Sequence, residues 1–169
     1  MMKGRIWFAG VIAGFLIVVP IVTRAATETP LVQLAPDFSF RDANGHISSL
    51  KSLRGKPVIL LIAPSAGKGR FRREAKTINR ASRSFTSRKA VFVAAFAQGG
   101  EMMRGELSFL LATHASHIAR VYGIDPNSYA LFVIGPDGNL DLRSTRVLSA
   151  QKIIDAIDNS YVVQARRKS

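Results

Sequence analysis

Apolar and polar positions along this chain alternate, run together or recur at helical spacing, and each pattern predicts an element. Asp37, Phe38, Ser39 and Phe40 alternate as a short strand, 42–45 reads as a turn, and 46–50 returns, which predicts a hairpin. One helical turn or loop follows over 50–55. Lys56 and Pro57 then precede the apolar run 58–63, short and continuous enough for a strand buried on both faces. Phe71, Ala75, Ile78, Ser82 and Phe85 recur at steps of four and three, which predicts one helix over 71–85 with Arg72, Arg73, Lys76, Arg80 and Arg83 on its opposite side. The run 90–96 is a second buried strand, so 58–96 forms a strand, helix, strand unit whose two strands are parallel. After a glycine break at 99–100, the spans 106–114 and 116–122 read as helical, with Gly123 as a stop. Strands at 129–134 and 140–144 flank the turn Gly135-Pro136-Asp137-Gly138. Ser149 is placed to cap a last helix from Ala150 to about Asn159, before a basic tail over 160–169.

Composition changes this picture at the N-terminus and in the charge. Lys3 and Arg5 precede an uncharged, mostly apolar stretch over 6–22, followed by Thr23-Arg24-Ala25-Ala26. A basic start, an apolar run and small residues near its end are the layout of a secretory signal peptide, with cleavage expected after Ala25. The competing reading is an uncleaved anchor over 6–22 that leaves the domain outside the inner membrane. Both readings export the domain, so the expected location is periplasmic or secreted. Of the formal net charge of +13, Lys3, Arg5 and Arg24 lie in the first 25 residues, leaving +10 beyond them. Such a field favours anionic partners, an envelope protein or an anionic membrane surface, and export argues against nucleic acid. The 169 residues suffice for one packed domain, which must hold by its core because the chain has no cysteine.

Several local matches occur in a fixed order. They are Ala35-Pro36-Asp37-Phe38, Asn44-Gly45, the stretch from Leu50 through Val58, Tyr122-Gly123-Ile124, and the stretch from Phe132 through Gly138. In this order they resemble the thioredoxin-like fold as built in peroxiredoxins and exported thioredoxin-like proteins. The resemblance implies an α/β fold, a central mixed sheet flanked by helices with an N-terminal hairpin. Residues 142–144 and the helix after them are similar to an uncharacterised family of bacterial exported domains of that fold. The division implied is a signal peptide or anchor at 1–25, a leader at 26–34, a thioredoxin-like domain at 35–159 and the tail. The family's Cys-x-x-Cys would fall at Gly67 and Arg70, and Tyr129 stands near its cis-proline position. Without sulfur the chain has no thiolate of its own for disulfide exchange, peroxide reduction or metal binding. The cysteines and histidine that copper-delivering relatives use near the second hairpin have no counterpart at 125–128.

The remaining candidate chemistry is sparse. Ser65-Ala66-Gly67-Lys68-Gly69 after a buried strand suggests a phosphate loop, but the nucleotide signature requires glycine at Ile62 and Ser or Thr at Gly69, so no nucleotide is expected. A weaker version remains, in which the loop with Lys68 and Arg70 holds a carboxylate or phosphate. His114 and His117 could share a helix face, yet no third ligand falls at helical spacing, so neither a metal nor another cofactor is expected. Glu101 and Glu106 have no partner that suggests acid-base work. The strongest positive signal lies between Lys68 and Lys89, where nine basic residues face a single acid, Glu74. The bland account is a solvated face. The functional account is a redox-inactive binding or accessory module that docks an anionic envelope partner through Lys68, Arg70, Arg73, Lys76, Arg80 and Arg83. The alternative is an enzyme of this fold with thiol-independent chemistry or one that uses a partner's cysteine.

Overall fold

The computed structural model describes residues 33–42, 44–99 and 108–160. The expected signal segment, most of the leader, the two glutamates at 101 and 106 and the tail beyond 160 lie outside the described residues. Among the described residues, no helix is long and apolar enough to cross a membrane.

The strands are β1 (Ser39–Arg41), β2 (Ile47–Ser49), β3 (Val58–Ala63), β4 (Val91–Phe96), β5 (Phe109–Ala112), β6 (Ala130–Ile134) and β7 (Leu140–Ser144). The helices are α1 (Gly69–Arg80), α2 (Ser82–Thr86), α3 (Ala115–Val121) and α4 (Ala150–Asp158), and a 3-10 turn spans Leu50–Leu53. The strands form one mixed sheet in the order β2-β1-β5-β4-β3-β6-β7. β3, β4 and β5 are parallel, while β6 and β7 extend one side antiparallel and β1 and β2 the other. The expected α/β sheet with an N-terminal hairpin is therefore the architecture present.

Every residue of β3 is buried because helices cover both faces of the central strands. Ile59, Leu61 and Ala63 point to the layer of α1, α2 and α4; Val58, Leu60 and Ile62 point to the layer of α3, Phe38 and Phe40. The first layer is rich in aromatics, with Phe71 edge-on to Phe96 at 4.8 Å and Phe85 edge-on to Phe92 at 5.3 Å between ring centroids. Burying each such ring contributes about 2–3 kcal/mol relative to leaving it in water.

Two expectations are corrected. The single helix over 71–85 is two helices, broken at Ala81, whose φ of −106° and ψ of 21° leave helical geometry. Asn79, Ser82 and Ser84 flank the break, and such side chains compete for local backbone hydrogen bonds. The second correction concerns 106–114: its described part holds a strand, β5, where a helix was expected. Leu and Ala at 110–112 are good helix formers, but this segment fills the gap between β4 and β1, where the neighbouring strands offer a ladder on each side.

Candidate functional site

The basic residues are set out by how α1 starts and which face it buries. After β3 the chain turns through Pro64, with the Lys68 N–H donating to the Ser65 carbonyl at 3.2 Å, and α1 opens at Gly69. Lys68 stands at the cap without a side-chain cap bond, and the first turn carries no acid. Arg70 and Arg72 occupy that turn instead, where cations oppose the helix dipole and an anion would be favoured. Phe71, Glu74, Ala75 and Ile78 face the sheet. At 100° per residue this turns Gly69, Arg73, Lys76 and Arg80 into one line on the outer side, with Arg72 beside it. Gly69, Arg72, Arg73 and Lys76 border a shallow groove of about 440 Å³.

The structure brings together Lys68, Arg70, Arg73, Lys76 and Arg80 on α1 and its approach, all exposed. Arg83 is exposed too, but it sits on α2 beyond the break and so is not part of the continuous stripe. Among the described residues, the ion pairs join His46 to Asp42, Lys51 to Asp37 and Arg88 to Asp158, and none includes these six. Arg88 has a different task. It donates to both Asp158 oxygens, at 2.9 and 2.7 Å, and ties the turn after α2 to the end of α4.

The sequence reading missed the polar group beneath the stripe. Glu74, the acid of the basic segment, is 0% exposed. Its Oε2 accepts from the Tyr129 hydroxyl at 2.8 Å and from the Leu148 N–H at 2.9 Å. Its Oε1 has no hydrogen-bond partner. Burial pushes the Glu74 carboxyl above its ordinary range, and the two donated bonds offset part of that. Tyr129 is pushed up as well, by burial and then by Glu74. A signal was present: Glu74 follows Phe71 by three and precedes Ile78 by four, which places it on the apolar stripe.

The other candidates are dispersed. Gly67 lies exposed in the loop and Arg70 in the first turn, so the position of a dithiol holds a glycine and a solvated guanidinium. Asp125 and Asn127 form a tight turn, and Gln98 donates to Asn127 at 3.0 Å, which joins the loop after β4 to the loop before β6. His114 is not within a helix: it adopts φ 54° and ψ 43° and caps α3, so it and His117 do not share a helix face as expected. Both border a groove with Asp37, Phe38 and Val121. Among the described residues no three side chains are grouped to hold a metal ion.

A family model described as Domain of unknown function (DUF4174) matches residues 49–166. No curated protein matches the chain in sequence. Among solved structures, the reduced 2-Cys peroxiredoxin of Plasmodium vivax is similar over 82% of this chain and 98% of its own, at 17% identity and a TM-score of 0.59. The thioredoxin domain of a thiol-disulfide oxidoreductase from Bacteroides vulgatus is similar over 73% and 92%, at 15% identity and a TM-score of 0.57. Peroxidoxin BcpB from Mycobacterium tuberculosis is similar over 73% and 93%, at 19% identity and a TM-score of 0.56. At these identities the likeness establishes the fold, which is thioredoxin-like and here free of cysteine.

Proposed function

The chain belongs to the family described as Domain of unknown function (DUF4174), and from that premise we propose that it is an exported, redox-inactive binding module that docks an anionic envelope partner through the basic face of α1. The observation that carries the reading is the stripe of Arg72, Arg73, Lys76 and Arg80, exposed on one face and joined to no carboxylate among the described residues. A solvated face built only for solubility commonly interleaves acids with bases; this one has its acid turned inward. Export rests on Lys3 and Arg5, the stretch over 6–22 and the small residues at 25–26. The absence of cysteine removes the chemistry that the fold's thiol enzymes perform.

The partner we favour is an anionic lipid surface, against which each basic residue contributes on the order of 1 kcal/mol. The test is charge reversal at four positions at once, Arg72→Glu, Arg73→Glu, Lys76→Glu and Arg80→Glu. All four side chains are exposed, so the variant keeps its far-UV circular dichroism. Its retention on vesicles containing anionic phospholipid should fall by about a hundredfold or more, while neutral vesicles retain neither protein. Unchanged retention of a folded variant overturns the reading.

A further inference from the structure

We propose that Glu74 is a protonation-sensitive clamp, a buried neutral acid that holds α1 against β6 and the segment before α4 and loosens that hold when it ionises. The proposal is independent of the docking role. Its ground is geometric: a carboxyl 0% exposed, one oxygen taking two donors from two other parts of the chain, and the second oxygen with none.

The surroundings offer no cation to keep the ionised form. On α1 itself, Arg72, Arg73, Lys76 and Arg80 are exposed on the outer side, and Arg70, one turn before Glu74, is exposed to solvent and forms no ion pair with it among the described residues. β3 has no titratable residue, and Tyr129, the residue just before β6, brings only a neutral donor. The segment before α4 brings Arg146, which is exposed. Lys152 and Asp155 of α4 are exposed, and Asp158 is held by Arg88. As a neutral acid, Glu74 keeps both bonds on Oε2 and leaves a single hydroxyl unsatisfied. As a carboxylate it leaves a whole charge in an apolar layer, where admitting water requires α1 to part from the strands.

The sign follows from linkage. A carboxyl raised in the folded state retains a proton that the unfolded chain releases, so stability is greatest at acid pH and declines as pH rises through the raised value. The experiment is thermal unfolding of the full chain between about pH 4 and pH 8, beside Glu74→Gln, which keeps an oxygen for Tyr129 and Leu148 but cannot ionise. The wild-type Tm is expected to fall by about 4 °C more than that of the variant over this range. Identical pH slopes for the two proteins overturn the clamp. Carbon-13 NMR titration of the Glu74 carboxyl in the wild type needs no variant: a midpoint above the ordinary carboxylate range supports the proposal, and one at or below it overturns it.

Discussion

Two carboxylates converge on Gly135 in the turn between β6 and β7. A Cβ at Gly135 would stand 2.6 Å from Asp141 Oδ2 and 2.8 Å from Asp137 Oδ1, so only glycine leaves both in place. Asp137 is occupied by the Asn139 backbone and side-chain amides, at 3.1 and 2.6 Å. Burial first, and then the neighbouring Asp137, push Asp141 up to about 6. Its folded value lies above its unfolded one, so the ionised form costs stability that is recovered as pH falls through about 6. Part of the residue still meets solvent, which screens the effect. Asp141→Asn should therefore stabilise the protein by about 1 kcal/mol at pH 8 and not at pH 4, measured by urea unfolding at both. Equal gains at the two pH values would assign the effect to packing. The turn itself was legible from Pro136, Asp137 and Gly138, whereas the approach of Asp141 to Asp137 depends on the register shift between Val133 and Ile134.

At the scale of elements, local signals succeeded where a side chain acts on its own backbone. Ser149 accepts from the Lys152 N–H at 3.3 Å and starts α4 where expected. Ser149→Ala should cost about 0.5–1 kcal/mol, read as a lower denaturation midpoint with an unchanged slope. Gly123, at φ 66°, ends α3 for an equally local reason. Local signals failed where a neighbour decided. The residues of β5 favour helix by themselves, yet they complete the sheet between β4 and β1. The α1–α2 break divides the basic residues between two helices, so Arg83 leaves a stripe that simple periodicity would have kept whole.

For the whole molecule, a net charge of +13 makes any docking on an anionic surface an electrostatic event. Retention on anionic vesicles should then drop steeply as salt rises from about 0.1 M to 1 M, where the screening length contracts from about 10 to 3 Å. Retention that survives high salt would point to apolar contact in place of the stripe. The sequence by itself determined the order of most elements, the loss of thiol chemistry and the excess of positive charge, because periodicity, composition and caps are properties of neighbours along the chain. It also placed Arg72, Arg73, Lys76 and Arg80 on one helix side, since helical spacing is enough to do so. Only the tertiary structure decided that Glu74 meets Tyr129 and Leu148, that His114 caps a helix and that 109–112 is a strand. Those outcomes depend on which distant segments supply donors, acceptors and apolar cover, and such partners are chosen by the packing of the whole sheet and its two layers.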